Sequence, residues 1–482
     1  MMMDSRSADM STAIQTSGSP LSRDQLIAQL KGIVGDSGVL VDEAVTGRYP
    51  GYFMKQVQSR LLVRPTCTEQ VAAVLRLCNE GKQPVVTQGG MSGWVRATET
   101  TPDDLILSME KMNAIEEIDT VNRTVSLQSG VILQVLQEKL EDHQLIFPLD
   151  LGGRGSCQLG GNVSTNAGGI RVIRYGMMRQ LVLGVEAVMA DGTVISSMNK
   201  MIKNNSGYDL KQLFIGSEGT LGVITRLVVR LFEKPVSANS AIVALESFDQ
   251  VTNFLRYMDR SLGGNLSAFE VLDQHFYQLN TAPGRHTPPL PDHYPYYVIT
   301  EALGFAIEKD TELFEQALAD ALEQGSIADA VLPKSNADRD AIWEIRENLE
   351  HIVSDLQPFQ AFDVSMPIGE MEAYMQAVRD RLAARWPEGK LCFLGHVGDG
   401  NLHIAVGCGS EAEGSFREVE HCVYEPLQTI GGAISAEHGI GLEKKHFLPI
   451  SRSSDEIKLM QLLKRTLDPR NILNPGKVFD LC

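Results

Sequence analysis

Two histidines seven residues apart, His396 and His403, flank a Gly398-Asp399-Gly400 turn, and a Glu437-His438 pair follows further on, ahead of Gly439 and Gly441. On a flat strand an odd offset puts two side chains on opposite faces, because side chains alternate. A tight turn between them can fold the chain so that both imidazoles converge, and Glu437 would then supply a third, anionic ligand. Two neutral imidazoles, one carboxylate and an open position suit a catalytic divalent metal, Zn²⁺ foremost. His438 sits beside the proposed ligand, points elsewhere, and is free to act as a base near neutral pH. A His pair alone is equally well a hydrogen-bonded core or turn pair; its company here argues for the metal. The other seven histidines (143, 275, 286, 293, 351, 421 and 446) have no such neighbours and receive no role.

A second chemical signal is glycine. Three clusters stand out: Gln88-Gly-Gly-Met-Ser-Gly93; Gly152 through Gly169, which carries Ser156, Gly160, Gly161, Asn162, Thr165 and Asn166; and Gly216-Ser-Glu-Gly-Thr-Leu-Gly222. Glycine lets backbone N–H groups converge on an anion without interference from Cβ, and small polar side chains add donors. Taken singly, each cluster reads as a turn-rich connection; three of them, with amides and hydroxyls set among them, point to a phosphate-bearing ligand. No GxGxxG occurs in the chain, so a dinucleotide Rossmann site is not supported.

The elements that must position these residues follow from pattern. Ser22-Arg-Asp-Gln25 is a capping box, with Leu26, Ile27, Leu30, Ile33 and Val34 behind it at helical spacing. A second helix is expected from a Thr68 cap to Gly81, then a short strand over 83–87 that runs into the first glycine loop. Strands are expected at 105–108 and 124–128. A hairpin over 184–196 turns at Asp191-Gly192, and an apolar strand spans 222–232. Beyond Pro235 strands alternate with charged amphipathic helices, for instance 310–324 and 371–385, around a Pro-rich surface excursion at 283–295. Glycine becomes dense again from Gly395. The organisation read from this is a disordered leader (1–20), a first domain (21–236), a middle domain (237–430) and a C-terminal segment (431–482) that returns to the first domain.

Composition narrows the function classes. Of 482 residues, 43% are hydrophobic and 22% charged, an ordinary globular balance. Lys and Arg total 43 against 61 Asp and Glu, for a net charge of −18, which repels phosphate backbones and argues against a nucleic-acid partner. No apolar run approaches the ~18 residues of a spanning helix. Seven scattered cysteines without a CxxC pair argue for a reducing compartment. With a polar N-terminus unlike a secretory or transit signal, the expectation is a cytoplasmic protein, a peripheral contact at the inner membrane being left open.

Pro84-Val-Val-Thr-Gln-Gly-Gly-Met-Ser-Gly93 resembles the pyrophosphate loop of flavoproteins of the vanillyl-alcohol oxidase type, and Gly160–Gly169 followed by Arg174-Tyr175-Gly176 resembles that family's second flavin segment. Gly216–Thr225 resembles the strand whose backbone meets the adenine. The resemblance implies an α+β fold: a two-part FAD-binding domain of vanillyl-alcohol oxidase type with an inserted α/β cap domain for substrate. The flavin site it implies takes Gln88, Gly89, Gly90, Met91, Ser92, Gly93 and Trp94 from the first loop. From the second segment come Pro148, Gly152, Ser156, Gly160, Gly161, Asn162, Thr165, Asn166, Gly169 and Tyr175, and later Glu218, Gly222, Ile224 and Asn474. Members that bind flavin covalently often use a His in or near the first loop; Gln88 and Met91 stand there, so noncovalent FAD is expected. Trp94 and Arg96 depart from the small residues common after that loop.

Within that family, His396–His403 with Ala436–Gly441 resembles the D-2-hydroxy acid dehydrogenases, which include D-lactate and D-2-hydroxyglutarate dehydrogenases. The resemblance implies that His396, His403 and Glu437 bind metal, that His438 is the catalytic base, and that Arg346 holds the substrate carboxylate. A planar guanidinium fork suits that last task. The implied reaction moves the Cα hydride of the hydroxy acid to flavin N5, giving the 2-oxo acid. Hydroxyglutarate-specific relatives carry a Thr, a Lys and an Asn where this chain, by simple register, has Glu350, Ala361 and Ala405. A lost cation and a gained carboxylate disfavour a second substrate carboxylate, which favours D-lactate or another monocarboxylic acid, with D-2-hydroxyglutarate as the alternative. A flavin-dependent transferase or a non-catalytic flavin subunit would not need the His/Glu-His set. The electron acceptor (a quinone, an electron-transferring flavoprotein, a cytochrome or oxygen) has no signature here, and a homodimer is the commonest oligomer to expect.

Overall fold

The structure, a computed structural model, describes residues 21–481; the expected leader lies outside the described residues. Ser22 and Gln25 close the expected capping box and start the helix Arg23–Val34, which buries Leu26 and Leu30. The second helix, Thr68–Gly81, begins one residue earlier than its sequence implied. Cys67 is its N-cap, and Thr68 instead donates its hydroxyl to Glu186 Oε1 at 2.7 Å. Its apolar face (Val71, Val74, Leu75, Cys78) packs on the first helix and on a four-stranded sheet. That sheet runs Val39–Val41, Leu61–Val63, Leu105–Ser108, Val85–Gln88, parallel across its last two pairings. Both of these parallel pairings bring in Leu105–Ser108, which is buried throughout, as a strand covered on two faces must be.

A second, antiparallel sheet orders Ile115–Asp119, Thr124–Gln128, Val223–Arg230, Val182–Val188 and Val194–Ser197. The hairpin expected at Asp191-Gly192 is present, with Gly192 at φ +84°. The long apolar strand divides: Val223–Arg230 stays in this sheet, and Phe232–Glu233 leaves it to pair with Leu145–Ile146. Within the second glycine cluster Leu159–Thr165 is helical, which the glycine content concealed.

The middle domain is one antiparallel sheet of seven strands, in the order Asp329–Val331, Ser237–Leu245, Tyr296–Gly304, Leu266–Asp273, Lys390–His396, Asn401–Gly407, Phe359–Ser365. Side chains alternate across it. One face (Val243, Phe269, Phe362, Phe393, Ile404) packs under the helices Phe248–Ser261, Ile307–Glu323 and Met371–Arg385. The other face meets the helices Gln274–Asn280, Asn336–Glu347 and Glu350–Asp355 through Ile242, Leu272, Tyr297 and Leu394. The Pro-rich excursion is pinned to this face: Leu290 is buried and its carbonyl accepts from the Tyr277 hydroxyl at 2.8 Å. No helix among the described residues is long and apolar enough to cross a membrane.

The C-terminal segment returns to the first domain. Leu473 bridges to Val85, and the helix Ser454–Leu467 sends the Lys464 ammonium to Thr220 O (2.9 Å), Leu473 O (2.7 Å) and Asp468 Oδ2 (2.5 Å). Both charged groups are buried. Removing one member of a buried pair leaves the other uncompensated. Lys464→Ala is therefore expected to cost about 3–5 kcal/mol of stability, read by denaturant or thermal unfolding.

Candidate active site

The sheet register decides the histidine geometry. Leu394 pairs with His403 across the hairpin, so His396, two residues beyond Leu394, shares His403's face. The odd spacing is absorbed in the turn, where Gly400 holds φ +85° and a Cβ would lie 2.8 Å from Met366 O. The two rings stand 5.2 Å apart and nearly perpendicular. Pairing with His403 on the far side is Asp363, and pairing with His396 on the near side is Glu270. Two adjacent polar pairs, Glu270–His396 and His403–Asp363, thus lie on one face across four strands.

Glu270 is buried and takes two partners: its Oε1 lies 2.5 Å from His396 Nδ1, and its Oε2 accepts from Arg346 Nε at 2.8 Å. Burial alone would raise its pKa, but the His396 and Arg346 charges outweigh it and hold the carboxyl at about 2. With Nδ1 engaged, His396 presents Nε2 inward, 4.0 Å from Glu437 Oε1 and 3.5 Å from Arg346 Nη2. A carboxylate behind an imidazole sets its tautomer and orientation as a ligand.

Glu437 and His438 arrive on the C-terminal return, and Asp363 holds them there. Its Oδ2 accepts three consecutive backbone N–H groups, from Ala436 (3.1 Å), Glu437 (2.8 Å) and His438 (3.0 Å). Its Oδ1 accepts from Asn401 Nδ2 at 2.7 Å. Buried Lys444 donates to Asp363 O at 3.2 Å and to Ser435 Oγ at 3.1 Å. Burial opposes ionisation of Asp363, yet the facing groups His438, Lys444 and His403 and these N–H bonds keep it far below the usual carboxylate range. One ligand atom from each of His396, His403 and Glu437 lies within 4.8 Å of the others, close enough to share one cation. Burial pushes Glu437 up to about 7 and His438 down from its ordinary value, so the His438 imidazole is neutral and able to accept a proton.

The glycine segments form a cleft beside this cluster. A Cβ on Gly90 would lie 1.9 Å from Ser156 O, and one on Gly169 (φ +148°) 1.9 Å from Asp150 O, so the first two loops touch backbone to backbone. Of the expected flavin residues, Gly89, Gly160, Gly161, Thr165, Glu218, Gly222, Ile224 and Asn474 line the cleft. Thr87, Thr98, Ser129 and Gln158 also line it and were not expected. Buried polar atoms at Thr87 Oγ1, Ser129 Oγ, Gln158 Oε1 and Asn162 Oδ1 have no protein partner, which fits a polar ligand in the cleft.

Other expected positions are engaged within the protein. Gln88 donates to Thr98 O at 3.0 Å. Asn166 Oδ1 accepts from Arg179 N at 2.9 Å, and Tyr175 packs its ring on Phe232. Pro148 is buried, while Gly152 and Ser156 sit exposed on the rim. Met91 holds φ +56° in the first loop, and Ser92 packs against the Gly153 turn. Asn474 joins Thr87 N (2.9 Å) to Glu218 O (2.6 Å), and both Glu218 oxygens accept from the return segment, at Ile440 N (2.7 Å) and Gly441 N (2.8 Å). The second glycine segment meets the histidine cluster at Gly168, where a Cβ would lie 2.6 Å from Glu437 Oε1.

Residues 59–197 match the FAD binding domain family, and residues 234–478 match the C-terminal domain of FAD linked oxidases. The chain belongs to the FAD-linked oxidase family. This flavoprotein is an oxidoreductase whose cofactor is FAD. It is 37% identical to the probable mitochondrial D-2-hydroxyglutarate dehydrogenase of Oryza sativa subsp. indica, over 94% of this chain and 81% of the other. To the mitochondrial D-2-hydroxyglutarate dehydrogenase of Danio rerio it is 38% identical, over 88% and 80%. To a putatively named mitochondrial D-lactate dehydrogenase of Schizosaccharomyces pombe it is 35% identical, over 94% and 90%. Among solved structures, p-cresol methylhydroxylase superposes with a TM-score of 0.74 at 16% identity, over 95% of this chain and 97% of the other. Alkyldihydroxyacetonephosphate synthase gives 0.73 at 17%, over 95% and 85%. These two likenesses establish the vanillyl-alcohol oxidase type of fold.

Because Gly90 admits no Cβ without moving the Ser156 backbone, Gly90→Ala is expected to yield protein that retains little FAD, measured by visible absorbance of the purified flavoprotein.

Proposed function

We propose that this flavoprotein oxidises a D-2-hydroxy acid to the 2-oxo acid with the help of a divalent metal held by His396, His403 and Glu437. The observation that carries this is the convergence of those three side chains with Arg346 and His438, against the second glycine segment at Gly168. The relatives named above as D-2-hydroxyglutarate and D-lactate dehydrogenases support the same substrate class. The donor set, two imidazoles and a carboxylate, suits zinc, which would supply Lewis acidity at the substrate hydroxyl. FAD supplies the two-electron acceptor. Arg346 binds the substrate carboxylate with the nitrogens that Glu270 leaves free. His438 Nε2 takes the hydroxyl proton, its Nδ1 facing Asp363 at 3.8 Å. Gln88 and Met91 at the first loop support noncovalent FAD.

We read the preferred substrate as monocarboxylic, D-lactate or similar. Ala361 and Ala405 pair with each other on the strands that carry Asp363 and His403, and Ala405 is buried in an apolar cluster. Glu350 is exposed at the start of its helix. The names of the most similar relatives favour the second reading, D-2-hydroxyglutarate. The free cysteines among the described residues support a reducing compartment, which we take to be the cytoplasm.

Anaerobic bleaching of the flavin by D-lactate and by D-2-hydroxyglutarate tests the reaction and orders the two substrates; faster bleaching by D-2-hydroxyglutarate would overturn the monocarboxylic reading. His438→Asn is expected to keep its flavin but lose about 10²–10⁴-fold in the rate of bleaching; wild-type bleaching would sink the base assignment. Exhaustive chelation is expected to abolish bleaching while FAD stays bound, and His403→Ala to lower the metal content of the purified enzyme.

A further inference from the structure

Trp94 stands just past the first glycine loop and reaches across to the C-terminal return. Its indole lies against the His438 imidazole, ring centroids 5.4 Å apart and planes 28° from parallel. Two aromatic rings back it: Tyr52 tilted at 5.8 Å and Phe53 edge-on at 5.5 Å. Phe53 holds φ +61°, a backbone region that bulky residues rarely adopt, so the segment is bent sharply to bring its ring there. These two rings are half exposed.

His438 needs such a support. Its backbone N–H is tied to Asp363, but its ring has no hydrogen bond among the described residues: Nδ1 stands 3.8 Å from Asp363 Oδ2, beyond bonding distance. The second side-chain torsion of a histidine has a broad minimum, so the ring plane is set by whatever packs on it. His403 lies nearly parallel but further off, at 6.1 Å. Of the two rings stacked on the imidazole, Trp94 is the nearer.

We propose that Trp94 is a positioning residue that fixes the ring plane of His438, with Tyr52 and Phe53 holding the indole in place. This rests on the reading of His438 as the base. In this role Trp94 sets the angle at which His438 Nε2 meets the hydroxyl proton, and a misaligned proton acceptor lowers the rate without weakening binding.

The test uses the flavin-loaded enzyme and its Trp94→Ala and Trp94→Phe variants in two arms. The first is carbethoxylation of His438 by diethylpyrocarbonate, followed by peptide mass spectrometry with exposed His421 as the internal reference. The second is the limiting rate and apparent KM of anaerobic flavin reduction by D-lactate and D-2-hydroxyglutarate. In Trp94→Ala, labelling of His438 should rise severalfold and the limiting rate per bound flavin fall about 10²-fold, with little change in KM. Trp94→Phe, which keeps a flat ring, should recover most of both. Three results would overturn the proposal: unchanged labelling in Trp94→Ala, faster labelling with no loss of rate, or loss of FAD as the sole effect. The labelling arm needs no turnover. Unchanged labelling therefore defeats the positioning role alone, whereas a His438→Asn enzyme that still reduces its flavin defeats the base assignment.

Discussion

A single buried carboxylate, Asp363, holds the candidate active site together. It sits on an edge strand of the cap sheet, and three consecutive N–H groups of a segment more than seventy residues later converge on one of its oxygens. Such a cluster of donors stabilises the ionised form strongly enough to offset full burial. Lys444 balances the remaining charge from the same return segment. Glu437 and His438 belong to no helix or strand, so without Asp363 nothing in local structure would aim them at the histidines. Glu270 does the equivalent work for His396 and Arg346. Two carboxylates thus orient four side chains, and each is charged because of the groups it orients.

The flavin cleft depends on a different constraint, the distance of closest approach between backbones. Where the first loop meets the second at Gly90 and Ser156, and where Gly169 passes Asp150, a side chain is excluded by contact rather than by backbone preference alone. Asn474 and Glu218 then lock the C-terminal return onto the same loops. Arg171 and Arg174, immediately after the second glycine segment, reach Glu301 and Leu303 O of the cap. The first domain and the cap are therefore joined just beyond the second glycine segment, which brings that segment and the histidine cluster to adjoining positions.

Much of this was legible in the chain. The capping box at Ser22, the helix Met371–Arg385 and the hairpin at Asp191-Gly192 follow from local spacing and turn chemistry, and each forms as expected. The histidines, Glu437 and the glycine clusters could be singled out because residue types that ligate or that omit Cβ are chemically distinctive. Glu270, Asp363 and Lys444 could not. Each is one charged residue in a chain with many, and nothing local separates a buried, partnered carboxylate from a solvated one. The helix Leu159–Thr165 was hidden for a related reason: Gly160 is required because Ser129 presses on it, against helix propensity.

The sequence by itself determined the kinds of donor available: two imidazoles and a carboxylate, a further histidine beside them, and glycine loops that expose backbone N–H groups. These follow from the donor atoms of the side chains and from the absence of Cβ, which are properties of single residues. Only the tertiary structure decided which groups meet. Strand register put His396 and His403 on one face despite their odd spacing. Long-range closure brought Glu437 to them and laid Trp94 on His438. Such contacts join residues tens to hundreds of positions apart, and their geometry is set by the packing of whole elements, which no local pattern records.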